Sequence, residues 1–123
     1  MEHSVLIVED DLSLVDILRT ALAPYEVIVD TAEDPRRAAE LLGERAYCGM
    51  VLDLVLKSGS GFEVLSHIER AGLNVPTVVV TGKLPSYVRE MLDANQVKLV
   101  FPKPVEPRLL TAIILGLCGI PSI

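Results

Sequence analysis

This chain of 123 residues has little cysteine, a deficit of positive charge and no long apolar run. Its two cysteines, Cys48 and Cys118, form no spaced framework of the kind that staples small secreted folds or binds zinc. Cys48 opens an apolar run and reads as a small packed hydrophobe, which suits a reduced, cytoplasmic protein. Lysine and arginine number 11 against 17 acids, a net charge of -6. That balance argues against a binder of the nucleic-acid backbone, which needs a basic surplus on one face. No apolar stretch reaches the roughly 18 residues of a membrane span. The opening MEHSVLIVEDD lacks the basic region and apolar core of a signal peptide. Half of the residues are hydrophobic and 23% are charged, so one domain, residues 1–123, with a real core is expected.

Strand-like and helical patterns alternate along the whole chain. Ser4–Val8 reads as a first strand, and Leu14, Ile17, Leu18, Ala21 and Leu22 recur at helical spacing until Pro24. Val27–Val29 is a short second strand. Asp34-Pro35 supplies a cap and a first-turn proline for a helix that Gly43 should end. Gly49–Asp53 is a third strand, followed by a turn at 57–61 and a helix to about Arg70. Val75–Val80, a weaker helix at about 86–95, Val97–Phe101 and a last helix from about Glu106 to Leu117 complete the pattern. Five such units with nearly continuous apolar strands imply an α/β fold, a parallel sheet covered by helices on both faces. In these sheets function lies beyond the carboxyl ends of the strands.

Asp53 stands out first, because three apolar residues flank it on each side in MVLDLVL. A buried carboxylate costs several kcal/mol unless it is paired or holds a metal. The other strand ends offer compensation. The first strand ends in Glu9-Asp10-Asp11, the fourth in Thr81, and the fifth runs on to Lys103. If the first and third strands are neighbours, Glu9, Asp10 and Asp53 converge, and a divalent cation relieves their repulsion. The donors are all hard oxygens, which points to Mg²⁺, with Mn²⁺ as a substitute. A hydroxyl and an ammonium aimed into the same crevice suit a phosphoryl group, and a carboxylate can act as nucleophile toward phosphorus. Taken singly these residues have ordinary explanations, such as a helix-dipole cluster for Glu9-Asp10-Asp11. Their co-occurrence on four strand ends carries the functional reading. His3 and His67 have no partner at ligand spacing. The Ser58–Gly61 loop lacks the lysine and hydroxyl of a phosphate-binding loop.

With these pieces in order, VLIVEDD at 5–11, LDLVLKSGSGFEVL at 52–65, VPTVVVTG at 75–82 and Lys103-Pro104, the chain resembles the receiver domain of two-component response regulators along nearly its whole length. The resemblance implies a doubly wound, flavodoxin-like (βα)5 fold with strand order 2-1-3-4-5. It implies Asp53 as phospho-acceptor, Asp10 as direct Mg²⁺ ligand, Glu9 acting largely through water, and the Val55 carbonyl as a further ligand. Thr81 matches the switch hydroxyl and Lys103 the lysine that pairs with the phosphoryl group, before a cis proline. Lys57 stands where the family usually has proline, Ser60 where aspartate is common, and Val100 where an aromatic switch is typical. Phe101 is aromatic, but strand alternation turns it to the opposite face.

The resemblance further implies a sensor histidine kinase or phosphotransfer protein as partner, phosphorylation from small donors and slow self-dephosphorylation, but no metabolic enzyme activity. An unphosphorylated receiver-like adaptor or dimerisation module is the alternative. A flavin-phosphate site is disfavoured by the acids at the first turn. A phosphatase using a second carboxylate two places after its nucleophile is disfavoured by Val55. The last helix, LLTAIILGL at 109–117, offers only Thr111 and small residues for an outer side. A second copy or a fused effector or kinase domain is therefore expected on the surface of the fourth helix, fifth strand and last helix, the alternative being a last helix buried more deeply than usual within its own domain.

Overall fold

A computed structural model describes residues 3–83, 86, 90 and 96–122. Its order is β1 (His3–Val8), α1 (Leu12–Leu22), a single 3-10 turn (Ala23–Tyr25), β2 (Val27–Ala32), α2 (Pro35–Glu44), β3 (Gly49–Leu52), β4 (Val55–Leu56), β5 (Gly59–Ser60), α3 (Gly61–Ala71), β6 (Thr77–Thr81), β7 (Val97–Pro102) and α4 (Pro107–Leu117). The helix expected at 86–95 lies largely outside the described residues.

Five strands form one sheet in the order β2-β1-β3-β6-β7, every neighbouring pair parallel. Leaving aside the small β4–β5 hairpin, this is the expected 2-1-3-4-5 order. Side-chain alternation splits the core into two layers. Leu6 and Val8 of β1 pack with Leu41 and Leu42 of α2 and with Val64, Leu65 and Ile68 of α3. Val5 and Ile7 face the other way, toward Val15, Leu18 and Leu22 of α1 and Leu110, Ile114 and Leu115 of α4. Val100 packs on the first layer and Phe101 on the second, as alternation requires.

Local chemistry sets the helix ends. Asp11 caps α1 by accepting from the amides of Ser13 and Leu14, Asp34 caps α2, and Ser60 with Glu63 forms a capping box on α3. Gly43 does not end α2, which continues through Glu44: a glycine within a helix weakens it by only about 1 kcal/mol, less than the packing of Leu41 and Leu42 returns.

Two expectations are corrected. Cys48 and Cys118 are not separate thiols but a disulfide, with 4.9 Å between their Cα atoms, joining the entrance of β3 to the end of α4. The sheet brings together residues 70 apart in sequence, a juxtaposition that spacing alone does not reveal. On α4, Thr111 is buried rather than outward, its hydroxyl donating to the Pro107 carbonyl at 2.8 Å. The exposed side of that helix carries Arg108, Leu109, Ala112 and Gly116. No helix among the described residues is long and apolar enough to cross a membrane.

Candidate functional site

Glu9, Asp53 and Lys103 sit one step beyond the strands that position them, each tied to a neighbouring strand by its backbone, and Thr81 is the last residue of β6. Glu9 N–H donates to the Ala32 carbonyl at 3.0 Å and Asp53 N–H to the Val8 carbonyl at 3.0 Å. Lys103 N–H donates to the Thr81 carbonyl at 2.8 Å. The Lys103-Pro104 bond is cis. These ties carry the order of the sheet into the loops, so β1 and β3, which pair directly, deliver their acids side by side.

Glu9, Asp10 and Asp53 each offer a carboxylate oxygen, and these oxygens all lie within 4.8 Å of one another. Glu9 is 2% exposed and Asp53 4%. Lys103 Nζ bridges the two buried acids, at 2.6 Å from Glu9 Oε1 and 2.9 Å from Asp53 Oδ2. Backbone amides hold one oxygen of each acid. Glu9 Oε2 accepts from Asp10 and Asp11 N–H at 3.0 and 3.2 Å, Asp53 Oδ1 from Val55 N–H at 3.0 Å, and Asp10 Oδ2 from Lys57 N–H at 2.7 Å.

Burial raises the Glu9 pKa above its usual 4.5 because it removes water from the carboxylate, and nearby Asp53 adds to the effect. The hydrogen bond and charge of Lys103 and the Asp11 amide oppose this without cancelling it. For Lys103 burial pulls the other way, toward the neutral amine. Its contacts with Asp53 and Glu9 outweigh that, and its pKa is raised above 10.5. One ammonium thus neutralises only part of a three-acid cluster. The all-oxygen donor set, two members of it buried, fits a hard divalent cation held by Glu9, Asp10 and Asp53.

Thr81 is fully buried, and its hydroxyl engages its own loop, at 3.4 Å from the Lys83 carbonyl and 3.5 Å from Lys83 N. It stands on β6 next to β3 but makes no hydrogen bond to Asp53 among the described contacts. Asp11, the third acid of the run, is the cap of α1. Gly61 presses α3 onto the Asp53 loop: a Cβ there would lie 2.4 Å from the Asp53 carbonyl oxygen. Gly61 N–H also donates to the Leu54 carbonyl at 2.9 Å.

Two contacts escape a reading by residue type. One is the Lys103–Glu9 ion pair, for which the only sequence signal is the placement of both on strand ends. The other is the Lys57 amide on Asp10, made by a main-chain group, for which the absence of proline at 57 is the one available sign.

The chain matches the response regulator receiver domain family over residues 5–115. The transcriptional regulatory protein DltR of Streptococcus agalactiae (serotype III, strain NEM316) is 33% identical over 82 residues, 67% of this chain and 37% of that protein. A homolog of the transcriptional regulatory protein CpxR from Haemophilus influenzae is 31% identical over 110 residues, 87% of this chain and 46% of that protein. The matched segments thus span less than half the length of these relatives. Among solved structures, the non-phosphorylated HemR receiver domain from Leptospira biflexa superposes with a TM-score of 0.84 at 23% identity, covering 99% of this chain and 98% of that one. Sheet order, strand-end acids and the family match over most of the chain agree, and the chain belongs to the response regulator receiver domain family of two-component systems.

Proposed function

We propose that residues 1–123 form one cytoplasmic receiver domain that accepts a phosphoryl group on Asp53 from a phosphohistidine of a sensor kinase or phosphotransfer protein. The observation that carries this reading is Asp53 itself: a nearly buried carboxylate placed between two further acids and an ammonium. In the transfer, an Asp53 carboxylate oxygen bonds to phosphorus as the phosphorus–nitrogen bond to histidine breaks, and the histidine leaves with the freed electron pair. Lys103 is already at 2.9 Å from Oδ2 and supplies positive charge where the phosphoryl oxygens gather. The Thr81 hydroxyl, one strand away, supplies a donor on rotating from its loop contact with Lys83.

Glu9, Asp10 and Asp53 would hold Mg²⁺, or Mn²⁺ in its place, and the ion when bound neutralises phosphoryl charge. The Val55 carbonyl joins this set by a backbone argument. In an extended strand the N–H and C=O of one residue point to the same edge, as does the N–H two places on. Val55 N–H and Lys57 N–H both reach site acids, so the Val55 carbonyl shares their edge. Self-phosphorylation from small donors and slow self-dephosphorylation are the only reactions we assign, with no nucleic-acid or membrane contact of its own. Exposed Leu99 on β7 and Leu109 on α4 support, for that surface, a contact with a second copy or a fused domain.

The test is intact-mass measurement after incubation with acetyl phosphate and Mg²⁺. The parent chain should gain one phosphoryl group, Asp53→Asn none, and Asp10→Asn the same gain more slowly. An undiminished gain in Asp53→Asn would refute the assignment. No gain in the parent would favour the unphosphorylated adaptor.

A further inference from the structure

Lys57 is the first residue of the two-residue turn joining β4 to β5. Its side chain is exposed, but its backbone N–H donates to Asp10 Oδ2 at 2.7 Å, across 47 residues of sequence. That is short for an amide on a carboxylate, as a charged acceptor makes it. The contact completes a pattern in which every acid of the cluster has one oxygen held by main chain. Those of Glu9 and Asp53 are held by residues adjacent or nearly so. Asp10 is the exception: its anchor comes from a different loop.

The difference matters because Asp10 is the least enclosed of the three acids. Neither burial nor Lys103 fixes its carboxylate, since Lys103 binds Glu9 and Asp53. Resting on the metal-site reading above, we propose that the Lys57 backbone N–H is a positioning group. It clamps Asp10 Oδ2 against the hairpin, leaves Oδ1 presented to a divalent cation, and so couples the β4–β5 hairpin to cation affinity. An outer partner that orients a metal-binding carboxylate in this way is typically worth about 10–100-fold in affinity.

Proline is the one residue that removes the N–H while keeping a main chain at this site. Lys57 has a negative φ, and the first position of a two-residue turn accepts proline, so Lys57→Pro should preserve the hairpin. Lys57→Ala deletes the side chain and keeps the amide. The experiment is Mn²⁺ titration of the purified chain by electron paramagnetic resonance, with thermal melts of each variant in the absence of metal. Lys57→Pro is expected to bind at least about 10-fold more weakly, with Lys57→Ala within about two-fold of the parent. Equal affinity in Lys57→Pro and parent overturns the inference, as does an equal loss in Lys57→Ala.

A second readout covers the case in which Lys57→Pro fails to fold. The Lys57 amide proton should resonate downfield in the parent and move upfield in Asp10→Ala; an unchanged shift overturns the inference. The underlying reading fails differently. A parent that does not bind Mn²⁺, or Asp10→Asn binding as tightly as the parent, removes the metal site itself.

Discussion

At the carboxyl end of the sheet three acids cluster and one ammonium pairs with two of them, whereas the flank leading into β3 gives one acid, Asp30, two donors of its own. Tyr47 Oη donates to Asp30 Oδ2 at 2.6 Å and Arg45 Nε to the same oxygen at 3.0 Å. Beside them the Cys48–Cys118 bond ties β3 to the end of α4. Charge is matched in one region and undercompensated in the other, within a single small core. A buried charge with matched partners is tolerable, while one short of partners costs free energy that only a ligand can return. The flank is therefore organised for stability, and the strand ends for binding.

The largest test of this contrast is the disulfide. Closing a loop of 70 residues should restrict the unfolded chain by about 4 kcal/mol. Reduction, or Cys48→Ser with Cys118→Ser, should lower the urea midpoint by a corresponding amount without changing phosphoryl uptake. A midpoint insensitive to reductant would mean that packing alone holds this flank.

A smaller effect is expected at Tyr47. Burial first, then the hydrogen bond and charge of Asp30, raise its pKa above the usual 10.0. The neutral phenol is therefore favoured by folding. Its contribution is complete below pH about 10 and declines as pH rises through the raised folded value. Tyr47→Phe should cost about 1–2 kcal/mol at pH 7 through the lost hydrogen bond. The gap between parent and variant should narrow above pH 10. Equal stability at pH 7 would remove this pair from the account.

The smallest predicted effect has the opposite sign. Folding raises the Glu9 pKa, so its ionisation opposes the metal-free fold at neutral pH. Glu9→Gln keeps an acceptor for Lys103 while shedding the charge, and should make the metal-free chain slightly more stable at pH 7. The advantage should be full above the raised folded pKa and vanish below the unfolded value of 4.5, where the parent is protonated in both states. Mg²⁺ should reverse the order, because only the parent retains the full acid set. If Glu9→Gln is less stable without metal, the strand ends are balanced by Lys103 after all.

Much of this contrast could be anticipated from residues, and the remainder had physical reasons to stay hidden. Apolar strands ending in Glu9, Asp53, Thr81 and Lys103 announce both the sheet and its crevice, because parallel strands deliver their last residues to one edge. The disulfide was invisible since two cysteines 70 residues apart carry no pairing signal until the sheet is assembled. The β4–β5 hairpin, two residues to a strand, is too short for alternation to register. Thr111 reads as outward on polarity, but its hydroxyl is satisfied by the preceding helical turn, which allows burial. The turn of Thr81 toward Lys83 depends on a rotamer that residue type does not encode.

Gly61 has a mechanical consequence. With the Asp53 carbonyl 2.4 Å from where a methyl would sit, and the Gly61 amide bound to Leu54, no slack separates the Asp53 peptide from the first turn of α3. The two are coupled as a lever is to its pivot. α3 runs from Gly61 to Ala71 and is about 16 Å long at about 1.5 Å per residue. A tilt of its first turn would therefore displace most the far end, beside the left-handed turn at Gly72.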